Sequence, residues 1–558
     1  MLLIILIATL LQCCYSFQHQ RMMTSIRTQS NNMLSIRTPS NYMQMSAREE
    51  IPRLQTSLSA STSSSIDNRK RNKTIKKLVP LGLMFFCILF NYTILRDTKD
   101  VLVVTSAGAE IIPFLKTYVQ LPGAILFTIL YSTMSNKMSQ AQVFYAVLVP
   151  FLAFFASFAG IIYPNRTFLH PHAAADALQA LLPSFFTPLV SIFRNWTFSL
   201  FYCLAELWGS IVVSVLFWGF ANDVTTVDEA KKYYPLFGLG ANVALIFSGR
   251  YVNLVSKLRA SLPSGVDQWG YSLKLLMGAV VAMGSLIGLL FHYMQTKVLT
   301  DPECVSQERE LKRKKTKTKM TIGESAKYLA SSPYIRNLAL LVICYGMSIN
   351  IVEVSWKAKL KAAFPDPNAY SAFMGNFSSA TGIVTLFLML AGRWIFKVFG
   401  WGGAALVTPV TLLGTGATFF SLILFPQFFE PIVAKLGTTP LMLAVLVGAL
   451  QNILSKGSKY SLFDPCKEMA YIPLDNEQRT KGKAAVDVIG NPLGKSGGSL
   501  IQQFLIATTG SLQHSTPYLG ALLGGIVLTW INAASSLNKQ FIVKSKEMDD
   551  QLAKEKNI

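Results

Sequence analysis

Charged residues are scarce in this chain. Only 14% of its 558 residues are Asp, Glu, Lys or Arg, whereas 51% are hydrophobic, and the mean hydropathy is +0.39. Soluble domains of this length carry more charge on their surfaces. The composition therefore excludes an ordinary soluble protein and favours one whose surface largely contacts lipid.

Acidic residues are the rarer of the two signs. There are 29 of them against 51 basic residues, which leaves a net charge of +22. A basic excess can indicate nucleic-acid binding. We exclude nucleic acid as a partner, because much of the excess lies in flanking tails and loops and the rest is dispersed along apolar segments.

Cysteine motifs and an intact phosphate loop are also missing. The seven cysteines show neither CxxC nor metal-ligand spacing, so no disulfide framework, zinc site or cofactor is expected. The segment Gly490–Gly498 resembles a Walker loop, but only three residues separate Gly490 from Gly494, where the pattern requires four. Since no α/β domain flanks it, we do not expect an ATP-hydrolysing enzyme.

The N-terminus has the composition of a presequence. Residues 1–16 contain a short apolar core followed by Ser16, which is typical of a signal peptide although no basic residue precedes the core. Residues 17–68 are rich in Ser, Thr and Asn and contain no acid before Glu49, as in a transit peptide. The combination resembles the bipartite presequence of complex plastids, as in diatoms. The alternative is a disordered basic tail.

Twelve apolar segments of about 20 residues follow, each long enough to cross ~30 Å of hydrocarbon. They lie near 78–104, 111–134, 141–163, 187–221, 228–255, 272–294, 334–361, 369–394, 401–425, 438–463, 481–509 and 516–537. The predicted fold is an all-α polytopic membrane protein with about twelve transmembrane helices in two six-helix halves.

The predicted domains follow from this count. The first half covers 69–294 and the second 327–541, with a basic central loop at 295–326 and a polar tail at 542–558. Positive charge marks the side of the membrane that is not translocated, so the loop and both termini are expected on that side.

The two halves match each other when one is shifted by 259 residues. Asn91 then aligns with Asn350, and Pro150 with Pro409. Transporters built from duplicated halves bind their substrate near the membrane midplane, where the halves meet.

Four places carry charge where hydropathy predicts none, and intramembrane charge indicates a functional site by default. The first follows the uncharged run 78–95 and contains Arg96, Asp97, Lys99 and Asp100. Arg96 and Asp100 are spaced i,i+4 and are candidates for mutual pairing. Lys99 then has no evident local partner, so we expect it to face the substrate.

The second place is Glu206, the only charged residue between Asn195 and Asn222. A buried carboxylate must find a cation or take up a proton. The alternative to a substrate-linked role is a protonated Glu packed between helices.

The third place is Glu353, which follows the uncharged run 338–352. Lys357 lies at i+4, so an intrahelical ion pair is the competing interpretation. Because Asn350 aligns with Asn91, this segment is expected on the opposite wall of the same cavity as Arg96.

The fourth place is Lys495, in a Gly-rich segment that predicts an interrupted membrane helix. Broken helices expose backbone N–H groups that favour anions, and a nearby Lys adds to this effect. Lysines suit a triphosphate as hydrated point charges, and Arg96 suits bidentate phosphate contact. We expect Glu206 and Glu353 to neutralise Lys99 and Lys495 when the site is empty, which would enforce antiport.

These segments together resemble the plastidic and bacterial-parasite type of ATP/ADP translocase, the nucleotide transporter family. The resemblance runs from about Lys77 to Phe541 and is carried by Leu95–Thr105, Ala205–Ser210, Phe217–Asn222, Tyr234–Gly238, Ser461–Pro473 and the Lys495 segment.

The resemblance implies a fold related to the major facilitator superfamily and counter-exchange of ATP for ADP, with phosphate accompanying ADP in plastid members. It also implies that Lys99, Glu206, Glu353 and Lys495 match the family's essential charged positions. The expected location is the innermost envelope membrane of a plastid.

Three alternatives remain open. One is a broader nucleoside triphosphate exchanger or a proton-coupled nucleotide importer on the same fold. Another is a membrane ATPase, which the defective Walker spacing disfavours. The last is a receptor or scaffold, which would not need intramembrane charges that destabilise insertion.

Overall fold

The computed structural model describes residues 53–225, 227–260, 262–263, 265–300 and 322–556. The chain divides into two compact units, residues 1–77 and 78–558. In the first unit the described residues are helical from Arg53. The predicted signal peptide 1–16, most of the transit segment, and the basic run 312–319 lie outside the described residues. All further description concerns the second unit.

Twelve long helices account for most of the described residues of the second unit, each made of one helix or of consecutive helical segments. They are α1 (78–107), α2 (Ala109–Lys137), α3 (Gln140–Ile162), α4 (Trp196–Val224), α5 (Val227–Ala260), α6 (Gln268–Val298), α7 (Pro333–Ala363), α8 (367–399), α9 (401–424), α10 (Pro440–Met469), α11 (476–509) and α12 (Leu512–Lys556). They correspond one to one with the predicted spans. The chain breaks between α8 and α9 at Gly400, whose φ of 64° is a left-handed conformation that favours glycine.

Within the described ranges, nine helices are long and apolar enough to cross a membrane, when Pro367–Leu424 is counted once. The helices α5 and α11 are less apolar, because charged and polar residues lie both in their first turns and further along each helix. The fold is an all-helical polytopic membrane protein, as the sequence predicts. Pro150 lies inside α3 and Pro409 inside α9, the third helix of each half, as the 259-residue shift requires.

Hydrogen bonds fix which helix ends lie together. The Tyr334 hydroxyl donates to the carbonyl of Ala470 at 2.7 Å, and Asn337 donates to Ser536 at 3.0 Å. The start of α7 therefore lies beside the end of α10 and the middle of α12. We call this the loop end, since the connection between α6 and α7 also emerges there.

The two halves contact each other mainly through α1, α2 and α5 on one side and α7, α8 and α11 on the other. In the α5–α8 contact, Asn253 donates to Asn376 at 2.8 Å, and Gly249 approaches Gly375 so closely that a β-carbon would lie 2.4 Å from its carbonyl oxygen. Small residues allow such close helix packing in membranes.

Glycines also bring α7 against α11. A β-carbon added to Gly346 would lie 2.6 Å from the carbonyl carbon of Gly494, a backbone atom that cannot rotate away. The glycines of the segment that resembles a phosphate loop therefore serve helix packing.

We expect Gly346→Ala to lower the free energy of unfolding by about 1–3 kcal/mol, as overpacking does in well-packed interiors. The measurement is the thermal unfolding midpoint in detergent. Gly524→Ala in α12 is the matched control, because no atom lies within 4 Å of the added carbon. Equal midpoints for the two variants would contradict the close-packing interpretation.

Candidate functional site

A cluster of charged side chains lies where the two halves meet. It combines residues of five helices, and we call it the charge cluster. Its members are Arg96, Asp97, Lys99 and Asp100 of α1, Lys116 of α2, Glu206 of α4, Glu353 and Lys357 of α7, and Lys456 of α10. Three of the four places that the sequence singles out are brought together here.

Lys99 is held between two carboxylates. Its Nζ lies 3.0 Å from Asp100 Oδ1 and 2.9 Å from Glu206 Oε1, and its side chain is 3% exposed. It also lies 4.1 Å from the centre of the Tyr202 ring, at cation–π distance. The prediction that Lys99 lacks a local partner is wrong, because the neighbouring Asp100 and the α4 carboxylate both pair with it. Glu206 has a cation as its partner, so it needs no proton to be accommodated.

Asp100 joins the halves. Its second oxygen, Oδ2, lies 2.8 Å from Lys357 Nζ, and both side chains are buried. One carboxylate from the first half is therefore shared by Lys99 from the same helix and Lys357 from the other half. The predicted alternative, in which Arg96 pairs with Asp100, is wrong, since lysines occupy both oxygens of Asp100.

Arg96 instead contacts Asp97, with 3.3 Å between its Nη2 and Asp97 Oδ1. Ser378 of α8 donates to Asp97 Oδ2 at 2.6 Å and accepts from Arg96 at 3.2 Å. This arrangement adds a second polar contact between α1 and the other half.

The predicted intrahelical pair of α7 is confirmed: Glu353 Oε1 lies 3.3 Å from Lys357 Nζ. The same oxygen lies 3.8 Å from Lys456 Nζ of α10. The side chains of Glu353 and Glu206 are 20% and 23% exposed, several times more than Lys99. These two carboxylates therefore retain access to solvent, whereas Lys99, Asp100 and Lys357 are sealed.

Lys116 belongs to the site although the sequence analysis did not select it. Its ammonium donates to the side-chain oxygen of Asn350, and the Asn350 amide donates to the backbone oxygen of Lys495 at 2.9 Å. Gln503 of α11 donates to Thr117 at 2.7 Å and reinforces the contact with α2. A signal was present, because Lys116 is the only charged residue between Glu110 and Lys137.

Lys495 is exposed and takes no part in an ion pair among the described residues. The expectation that it is neutralised by Glu206 or Glu353 is wrong for this conformation, since those carboxylates pair with Lys99, Lys357 and Lys456. The exposed apolar side chains of α11 are Leu493, Leu500 and Phe504. At 100° per residue, Lys495 lies about 200° from that face, on the same side as the buried Gln502. It therefore points to the interior of the bundle rather than to lipid.

The helix that carries Lys495 is continuous, which corrects the prediction of a broken helix. A π-helical turn, Val486–Gly490, leads directly into the α-helix Asn491–Thr509. Its backbone N–H groups are consequently used within the helix and do not form an anion-binding end.

Similar π-helical segments lie at or near three other charged residues of the site. Lys116 begins the segment Lys116–Gln120, Glu206 lies three residues before Gly209–Phe217, and Lys456 lies three residues before Lys459–Phe463. Such segments are frequent at functional sites, because the extra residue shifts which side chains face a given direction.

The charge cluster has a positive excess. Five cations, Arg96, Lys99, Lys116, Lys357 and Lys456, face four carboxylates, and Lys495 lies nearby on the interior face of α11. A cluster with this balance and partial access to water favours a polyanionic ligand.

The ion pair between the halves lies far from the loop end. Lys357 follows Pro333, the first residue of α7, by about 24 residues, or roughly 36 Å of helix. The Lys116–Asn350 and Gln503–Thr117 contacts lie near the start of α2, at the same remote end. The described polar contacts between halves thus close the bundle away from the loop end.

We expect Asp100→Asn to lower the free energy of unfolding by about 3–5 kcal/mol, because it leaves buried lysines without a full countercharge. The double variant Asp100→Asn/Lys357→Met is expected to recover part of this loss, since it removes one stranded cation. Thermal unfolding in detergent measures both.

The matched control is Asp176→Asn, which removes an ion pair with Arg194 whose carboxylate is 67% exposed. Exposed pairs contribute about 0–1 kcal/mol. An Asp100→Asn protein as stable as this control would show that the pair between the halves is not a major source of stability.

The chain is similar in sequence to a family of known transport proteins. The family model described as TLC ATP/ADP transporter matches residues 69–541. The chain is 60% identical to ADP,ATP carrier protein 2, chloroplastic, of Arabidopsis thaliana over 87% of this chain and 78% of that protein. It is 54% identical to ADP,ATP carrier protein 1 of Chlamydia trachomatis over 86% of this chain and 91% of that protein.

Among solved structures, a bacterial homologue of the iron transporter ferroportin in an inward-facing state is similar at a TM-score of 0.49 and 15% identity, with 84% of this chain and 98% of that one covered. On the evidence of its match to the family model and of its identity to these carriers, the chain belongs to the TLC ATP/ADP transporter family.

Proposed function

We propose that this protein exchanges ATP for ADP across the envelope membrane of a plastid. The observation that carries the proposal is the charge cluster, in which cations of both halves outnumber carboxylates at the interface of a polytopic membrane protein. The names of the similar proteins, which are ADP,ATP carriers, support the same substrates.

The phosphates of the nucleotide would meet the cations that are not sealed in short ion pairs. Among the described residues, Lys116 donates to the neutral Asn350 and forms no ion pair, and Lys495 is exposed on the interior face of α11. Arg96 is shared between Asp97 and Ser378 and retains planar donors for a bidentate phosphate contact. Lysine ammonium groups suit a ligand that must also leave, because they are strongly hydrated.

Obligatory exchange follows from the ion pairs of the empty carrier. Asp100 holds Lys99 and Lys357 together across the halves, and Glu353 holds Lys357. Separating the halves without a ligand would strand these buried charges. Phosphate oxygens bound at the accessible cations, and in place of the accessible Glu353, can compensate for this loss, so the loaded carrier can change conformation while the empty one cannot.

We expect purified protein in liposomes to take up labelled ATP only when ADP or ATP is inside. Lys116→Gln and Lys495→Gln should each reduce this exchange at least tenfold, because each removes a charge-assisted hydrogen bond to phosphate. The control is Lys397→Gln on α8, an exposed lysine that does not contact the charge cluster. Near wild-type exchange in both cluster variants would remove the site assignment.

The same liposomes test the specificity and the coupling. Efflux of preloaded nucleotide into buffer that contains no counter-substrate would contradict obligatory exchange. Uptake of GTP or CTP at rates equal to ATP would favour the broader triphosphate exchanger, and uptake driven by a pH gradient alone would favour the proton-coupled importer. Labelled phosphate added with ADP tests whether phosphate accompanies it.

The proposed membrane is the innermost envelope of a complex plastid. The support is the presequence composition, together with the chloroplastic names of similar proteins. We expect residues 1–68 fused to a fluorescent protein to reach the plastid of an alga that has a complex plastid, and residues 17–68 alone to remain outside it. Arrival of both fusions would contradict a separate signal peptide.

A further inference from the structure

Lys456 is an unexplained charge in the middle of a membrane helix. It is the only charged residue of the segment Pro440–Ser458, whose other residues are apolar, small or neutral. A charge at such a position opposes insertion into the membrane unless a partner or a function compensates for it.

The interaction of Lys456 with its partner in the protein is weak. Lys456 Nζ lies 3.8 Å from Glu353 Oε1, beyond hydrogen-bonding distance, and Glu353 is already paired with Lys357 at 3.3 Å. Within the described part of the chain, the ammonium has no hydrogen bond to a protein group. Its second neighbour is the ring of Phe377, with 5.1 Å from Nζ to the ring centre.

Lys456 differs from the sealed lysines of the charge cluster in its ion pairs and in its exposure. Lys99 and Lys357 each lie within 3.3 Å of two carboxylates and are at most 5% exposed. Lys456 is 17% exposed, so its N–H donors face solvent inside the bundle. It is a cation held at the edge of the cluster with its hydrogen-bonding capacity unused.

We propose that Lys456 binds the terminal phosphate of the nucleotide and that Glu353 is its resting partner when no nucleotide is bound. The proposal rests on the proposed ATP/ADP exchange and adds a residue of α10 to that site. Exchanging a 3.8 Å contact for a charge-assisted hydrogen bond to phosphate is favourable, since the ammonium loses no short bond. Phe377 positions the ammonium from one side through its ring face.

The location on a terminal phosphate makes a specific prediction about the two substrates. ATP carries one more phosphate than ADP. A lysine that contacts the last phosphate of ATP therefore strengthens the binding of ATP more than the binding of ADP. A lysine that only supports packing has no means of distinguishing the two nucleotides.

The test is counter-exchange in liposomes with Lys456→Gln, Lys456→Arg and the control Lys397→Gln, each compared with the unchanged protein. We expect Lys456→Gln to raise the KM for ATP about tenfold, because one hydrogen bond to a charged group is lost. The KM for ADP should rise less. Lys456→Arg should restore the KM for ATP to within a few fold, because it keeps the charge and the donors.

A second measurement is the binding of labelled ATP to the detergent-purified variants, expressed per mole of folded protein. It does not depend on the yield, so it remains informative if a variant is poorly produced. Unchanged KM values, an equal rise for both nucleotides, or a loss of maximal rate alone would overturn the role of Lys456. If the unchanged protein and the Lys397 variant also fail to exchange, the proposed function itself fails. If the unchanged protein and the Lys397 variant do exchange nucleotides, but bind ATP no more tightly than Lys456→Gln does, only the Lys456 proposal fails.

Discussion

The carboxylate of Asp100 is the interaction on which the rest of the structure depends. It is 2% exposed and is shared by a lysine of its own helix and a lysine of the other half. A buried carboxylate between two lysines is stable only while all three groups stay together, because separating them leaves charge in a medium of low dielectric constant. The geometry of α1 and α7, and hence of the two halves, is tied to this one group.

The charged groups around Asp100 differ in their access to water. The sealed groups, Lys99, Asp100 and Lys357, hold the halves together, while Glu206, Glu353 and Lys456 face the interior with part of their surface free. A transporter needs both kinds of group. The sealed pairs hold the halves together at one end, and the accessible groups are the ones that we propose to meet the ligand.

Much of this organisation could be predicted from the sequence, because membrane helices must be long and apolar and intramembrane charges stand out against them. The twelve spans and the Glu353–Lys357 pair follow from local spacing. The partners of Asp100 and Arg96 could not be predicted, since helical spacing describes only contacts within α1, and a residue of α7 and one of α8 complete the network. Lys116 and Lys456 were missed because each lies among polar neighbours, against which a charge is less conspicuous. The continuity of α11 was missed because Gly and Pro suggest an interruption, whereas here the glycines serve packing against α7.

The π-helical segments have a consequence for how the chain tolerates change. A π turn is an α-helix with one residue inserted, so deleting a residue from Gly209–Phe217 or Lys459–Phe463 would restore a regular helix at almost no backbone cost. Every side chain beyond the deletion would then turn by about 100° relative to those before it. The length of these segments therefore matters in addition to the identity of their residues, since the number of residues sets which side chains meet across the bundle.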